Sequence, residues 1–181
     1  MKRKSNFLII SGNGRNTGKT SFICQLIASV KNSFPVTAIK ISPHFHPDSD
    51  TSDAVISNKN YSILLEKDPW RDKDSSRMLS AGADKVYYIE AKDEHLEHAL
   101  QSLMPMLADD TPVVCESGGM RSLIEPSLFI MLKHTAHTEM KEGYKKLSPL
   151  ADRIVSFDGS GFDLRGEEIG FDGREWRFER G

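Results

Sequence analysis

The chain has 181 residues, with 24 lysines and arginines against 26 aspartates and glutamates and a net charge of -2. That length suits one α/β domain, and the near-balance of charge excludes a broad basic surface for nucleic acid while leaving room for a local basic cluster. Apolar residues make up 38% and charged residues 28%, as in a globular chain with a core, and no apolar run approaches a membrane span. The start, Met1 to Ser11, is basic and then apolar, but the apolar part is too short for a signal peptide and leads into glycines. Cys24 and Cys115 lie far apart in apolar segments. The expectation is a cytoplasmic protein with two reduced core thiols.

In chain order, Phe7–Ser11 is an apolar run bounded by glycine and predicts a buried strand. A glycine-rich loop, Gly12 to Thr20, follows. Ser21–Lys31 then places Phe22, Ile23, Leu26, Ile27 and Val30 at helical spacing. Val36–Ile41 predicts a second strand. Ser42–Asn60 is long and polar, with room for a short strand or turn, and loops of that length are usually functional or mobile. Tyr61–Leu65 reads as a strand, Asp74–Ala81 as a helix ended by Gly82, and Lys85–Glu90 as a strand. Asp93–Leu107 predicts an amphipathic helix with Leu96, Leu100, Leu103 and Leu107 on one stripe. Pro112–Glu116 is a further buried strand, followed by Ser117-Gly118-Gly119; then come a strand over Ser127–Leu132, a helix over Glu139–Leu147 and a strand over Arg153–Phe157. The glycine-rich tail predicts a terminal antiparallel strand or hairpin. Trp70 and Trp176 read as packing residues. Strands alternating with helices imply right-handed crossovers and a mostly parallel sheet covered on both faces, in one domain over residues 1–181.

The pattern G-x-x-x-x-G-K-[ST] marks a loop that cradles phosphates. This chain meets it at Gly18, Lys19 and Thr20 and departs at the first position, where Asn13 stands between Gly12 and Gly14. Asparagine tolerates left-handed backbone better than other side chains, so the loop can still curl. Backbone N–H groups from Asn16 to Thr20 would converge on phosphate oxygens, aided by the helix N-terminus. The expected nucleotide-binding set is Asn13, Gly14, Arg15, Asn16, Thr17, Gly18, Lys19, Thr20 and Ser21. Lys19 would neutralise the phosphates and Thr20 would ligate Mg²⁺. Glu116, at the carboxyl end of an apolar strand, is the expected acid for magnesium or for the attacking water, and with Lys19 forms the expected catalytic pair. The plainer alternatives are a glycine-rich turn and a glutamate that caps the turn after it.

The order of motifs resembles the molybdopterin-guanine-dinucleotide biosynthesis protein B family of P-loop GTP-binding proteins. The matching pieces are Gly14 to Thr20, Ala38-Ile39-Lys40 followed by His44, His46, Asp48 and Asp50, Lys73-Asp74-Ser75-Ser76-Arg77 leading to Ala81-Gly82-Ala83, the strand ending in Glu116, and Ala151-Asp152 before a late strand. The resemblance implies a P-loop NTPase built as a three-layer αβα sandwich. Its activity would assist attachment of a guanine nucleotide to molybdopterin, with a protein partner and a homodimer in prospect. Phe45 separates the two histidines, which are adjacent in the family. The Glu116-Ser117-Gly118-Gly119-Met120-Arg121 segment is similar instead to the acid-plus-small-residue segments of dethiobiotin-synthetase-like ligases and small-molecule kinases.

Other groups have local explanations beside functional ones. His44, His46, Asp48 and Asp50 could hold a divalent metal or lie in solvent. Of these, the expected metal set takes Asp48, with Thr20 and Glu116. Lys40 could meet substrate charge or reach water. Asp74 could be a helix cap, while the resemblance makes Ser75 and Arg77 anion-binding. Arg121 is a similar candidate. The resemblance to P-loop proteins implies a base over the late strands, near Lys133 or near residues of the Thr135 to Thr138 loop. The leading expectation is Mg²⁺-dependent binding and slow hydrolysis of GTP or ATP, without nucleic acid or membrane. The alternatives are a small-molecule kinase or ATP-dependent ligase, in which Lys40, His44, His46, Ser75, Arg77 and Arg121 surround an anionic acceptor, and a non-catalytic nucleotide-sensing module.

Overall fold

The computed structural model describes residues 1–14, 16–45, 54–136 and 140–179. In chain order its elements are β1 (Lys2–Gly12), α1 (Lys19–Val30), β2 (Thr37–Ser42), β3 (Ala54–Ser57), β4 (Tyr61–Leu65), α2 (Asp74–Ser80), β5 (Lys85–Ala91), α3 (Leu96–Leu103), β6 (Val113–Glu116), β7 (Ile124–His134), α4 (Glu142–Leu147), β8 (Arg153–Phe157), β9 (Ile169–Phe171) and β10 (Trp176–Phe178). Among the described residues, eight strands form one sheet in the order β3-β4-β5-β2-β6-β1-β7-β8. The run from β5 to β8 is parallel, and β4 and β3 extend it antiparallel at one edge. β9 and β10 make a separate antiparallel hairpin.

Alternation along the central strands sorts side chains to two faces. Leu8 and Ile10 of β1 join Ala38, Val86, Val114 and Ile130 against α1, α2 and the hairpin. Phe7 and Ile9 join Ile39, Cys115, Phe129 and Met131 against α3 and Tyr144 of α4. The result is an α/β sandwich of three layers, with the sheet in the middle. The hairpin is fastened by Trp176, which is 1% exposed and donates its indole N–H to the Asn6 carbonyl at 3.0 Å.

Several elements differ from the sequence expectation. β1 begins at Lys2 because Lys2, Arg3 and Lys4 pair with Ile124 to Pro126 of β7, a tertiary pairing that their charge hides. The helix expected over Asp93–Leu107 is α only over Leu96–Leu103, with 3₁₀ turns at Asp93–His95 and Met104–Met106. Pro105 lacks the N–H that would continue the α pattern. The helix expected from Glu139 starts at Glu142, and Glu139 itself lies outside the described residues. Trp70, expected to pack, is 87% exposed. Both cysteines are free; Cys115 is buried, and burial pushes its thiol pKa up, whereas Cys24 is only half-buried. No helix among the described residues is long and apolar enough to cross a membrane.

Candidate functional site

The carboxyl ends of parallel strands gather polar groups at one edge of a sheet, because the crossover loops begin there. β1 ends in the Gly12–Thr20 loop, held to its neighbour by the Asn13 N–H, which donates to the Leu132 carbonyl at 3.0 Å. The chain curls through left-handed backbone at Gly14 (φ +107°), Asn16 (φ +57°) and Gly18 (φ +79°). The asparagine that takes left-handed backbone is therefore Asn16. Asn13 is buried instead, and its side-chain oxygen accepts the Lys141 N–H at 3.3 Å, tying the loop to the approach to α4. At Gly18 a Cβ would come within 2.8 Å of the Phe162 ring and 3.1 Å of Phe157, so both space and conformation call for glycine.

The loop's lysine folds back onto its own turn. The Lys19 ammonium donates to the Gly14 carbonyl at 2.6 Å and to the Thr17 hydroxyl at 3.2 Å. Burial holds its pKa below the ordinary lysine value, with the Lys40 charge adding to the effect, against the opposing pull of Glu116.

Glu116 ends β6, in register with Ile10 of β1 and Lys40 of β2. Both of its oxygens are engaged: one accepts the Thr20 hydroxyl at 2.9 Å and the other the Lys40 ammonium at 2.5 Å. Lys40 also reaches Asp74 at 2.9 Å. Burial alone would lower the Lys40 pKa, but the charge and hydrogen bonds of Glu116 and Asp74 outweigh it and hold the ammonium above its usual range. Burial would likewise raise Asp74, yet Lys40, Thr20 and Arg77 together keep its carboxyl below the usual range. These groups line a cavity of about 500 Å³ with the loop residues 16–21, Arg77 and Phe157.

The sequence-predicted residues divide accordingly. Thr17 is fully buried in the loop, and Ser21 accepts from the Arg77 guanidinium at 2.9 Å, which joins Arg77 to the cavity. Ser75 is buried and donates to Glu66 at 2.7 Å; it lines a neighbouring cavity with Lys40, Asp74, Tyr88 and Glu90. His44 is exposed beside Ser42. Arg121 lies elsewhere, with its guanidinium 5.7 Å from the Phe129 ring centre and 3.3 Å from the Met1 sulfur. Arg15, His46, Asp48, Asp50, His137 and Thr138 lie outside the described residues. Thr135 donates its N–H to the carbonyl of Phe157, whose ring stacks on Phe162 at 4.8 Å. Asp74 is the site residue that sequence reasoning passed over: it looks like a helix cap, but Lys73 occupies that position and the Asp74 carboxylate turns to Lys40.

Chemically, the edge offers two cations for an anion, Lys19 and Lys40, with Arg77 at the rim. Beside them, Thr20, Glu116 and Asp74 are oxygen donors of the kind a hard divalent cation takes. Among the described residues no group of three or more His, Cys, Asp or Glu has metal-holding geometry. A cation here would therefore use the Thr20 hydroxyl and ligand oxygens as well as carboxylates. No family model matches the chain, and no curated protein or solved structure matches it significantly.

Proposed function

We propose that this chain is a P-loop nucleoside triphosphatase that binds ATP or GTP with Mg²⁺ and hydrolyses it slowly. The observation that carries the reading is the junction of Thr20 with Glu116, 2.9 Å apart, directly after a curled Gly-Lys-Thr loop that joins a central strand to a helix. The triphosphate would lie along residues 16–20, with α1 adding the positive end of its dipole. Lys19 already donates to a carbonyl and a hydroxyl at hydrogen-bond distance, and phosphate oxygens are stronger acceptors of the same bonds. Thr20 and Glu116 would hold the cation, whose chemistry is to neutralise charge on the β- and γ-phosphates. Glu116 orients the attacking water. The water oxygen bonds to the γ-phosphorus, the bond to the bridging oxygen breaks, and nucleoside diphosphate and phosphate leave. In the pathway that the motif order resembles, this turnover would serve attachment of a guanine nucleotide to molybdopterin.

A second reading, γ-phosphoryl transfer to a small acceptor as in kinases and dethiobiotin-synthetase-like ligases, is favoured by one feature. Lys19 and Glu116 also line a second cavity, on the side of α3 and α4. A thermal-shift panel of ATP, GTP, CTP and their diphosphates with Mg²⁺ tests the common core of both readings. A saturating triphosphate should raise the melting temperature by about 5–10 °C. If no nucleotide does so, both readings fail. Turnover that then stays slow with metabolites supports hydrolysis, and turnover that rises sharply with one metabolite supports transfer.

A further inference from the structure

The second cavity has a volume of about 690 Å³ and opens between the turn after β6 and the 141–147 segment. Its walls are of two kinds. Ile41, Leu96 and Leu147 make an apolar side. Lys141 and Lys146 stand at the exposed mouth, and neither ammonium forms an ion pair among the described residues. Lys145, on the same helix, differs in pairing with Glu142 at 3.3 Å. Among the described residues, the acids at this cavity are Glu116, already held by Thr20 and Lys40, and Asp93. Among the described residues the mouth thus carries positive charge that no carboxylate pairs, beside apolar lining, and Lys19 and Glu116 border both cavities.

We infer that this cavity is a second-substrate site for an organic anion, a small molecule with a carboxylate or phosphate at Lys141 and Lys146 and an apolar body against Ile41, Leu96 and Leu147. As a binding site it stands on its own geometry; as the place from which an acceptor meets the nucleotide it rests on the reading above. It also separates the acceptor from Ser75 and Arg77, which line other cavities. Unpaired cations next to apolar surface recognise such a ligand because the charge-assisted bond fixes one end while burial favours the other.

Titration of the full-length, ¹⁵N-labelled chain with benzoate and with phenyl phosphate tests this, with benzyl alcohol as the neutral control. Both anions should move the amide signals of Ser117, Gly118, Gly119 and Gly143, and a preference for one tells carboxylate from phosphate. The neutral control should bind about tenfold more weakly. Lys146→Ala should weaken the anions by about tenfold and Lys146→Glu should abolish their binding. Lys146 is exposed, so both variants should fold and keep nucleotide-induced melting shifts within about 1 °C of the parent. Anion shifts confined to residues 16–21, or undiminished in Lys146→Glu, would overturn the proposal. Anion binding at Ser117–Gly119 with no nucleotide-induced melting shift would uphold this site and sink the nucleotide reading alone.

Discussion

The Thr20 hydroxyl donates to Glu116 across 2.9 Å and ties the first turn of α1 to the carboxyl end of β6. The other oxygen of Glu116 takes the Lys40 ammonium, and Lys40 continues to Asp74 at 2.9 Å. One carboxylate therefore joins three segments, and its charge is balanced inside the protein. A cation bound at Thr20 would take a lone pair of the hydroxyl oxygen while its O–H goes on donating to Glu116, so ligand and donor roles are compatible at one oxygen.

Glu116→Gln should slow turnover and lower stability together. The amide keeps the shape but loses the charge that balances Lys40, which is 18% exposed at its side chain. The expected outcome is a fall in hydrolysis of about 100-fold and a stability loss of about 1–3 kcal/mol, read by single-turnover kinetics and urea unfolding. Turnover within a factor of three of the parent would remove Glu116 from the reaction.

Lys19→Ala should abolish the nucleotide-induced rise in melting temperature while leaving the unliganded protein as stable as before or more so. Burial already disfavours the charged ammonium in the folded state, so its removal relieves a cost. Calorimetry on both proteins, with and without nucleotide, checks the two halves separately.

The Lys40–Asp74 contact fixes the sign of the pH response. The folded-state pKa of Asp74 lies below its ordinary 3.8, so its contribution to stability is present above that pH and is lost as pH falls through the lower folded value. The folded-state pKa of Lys40 lies above 10.5, so its contribution is complete below that pH and is lost as pH rises through the higher folded value. Asp74→Asn should therefore flatten the acid decline of the urea midpoint below pH 3.8 and lower the plateau between the two limits. Parallel acid limbs in the two proteins would contradict the assignment.

Gly18→Ala should cost about 1–3 kcal/mol and weaken nucleotide binding together. Its φ of +79° and the 2.8 Å approach of a Cβ to Phe162 leave no relaxed position for a methyl group. Urea midpoints and the nucleotide melting shift read the two effects. An unchanged midpoint would mean that the aromatic pair moves aside freely.

Local signals carried much of this architecture. Tyr61–Leu65 and Arg153–Phe157 are strands with the bounds their apolar pattern gives, because each is framed by polar turns. The Gly-Lys-Thr spacing and the acid at the end of an apolar run led to Thr20 and Glu116, which do meet. What stayed hidden depends on distant partners. The pairing of Lys2 to Lys4 with β7, the turn of Asp74 toward Lys40 and the Asn13–Lys141 link all join residues remote in sequence. Arg121 shares its basic character with Arg77 but sits over Phe129, a distinction that only the path of the chain after Gly119 decides. Lys141 and Lys146 carry no motif and gain meaning only from the cavity they border.

β1 lies in the middle of the sheet, between β6 and β7, so its two neighbours arrive far downstream: Phe7 faces Val113 on one side and Leu8 faces Leu128 on the other. Closing such distant pairings slows folding, because chain entropy is lost before the contacts form. The Gly12–Thr20 loop hangs from this strand and is anchored to Leu132. It can take shape only when most of the chain is already in place. Amides of Phe7 to Ile10 should exchange with solvent only through global unfolding. A fragment ending before β6 would carry the whole Gly-Lys-Thr motif and hold none of its shape.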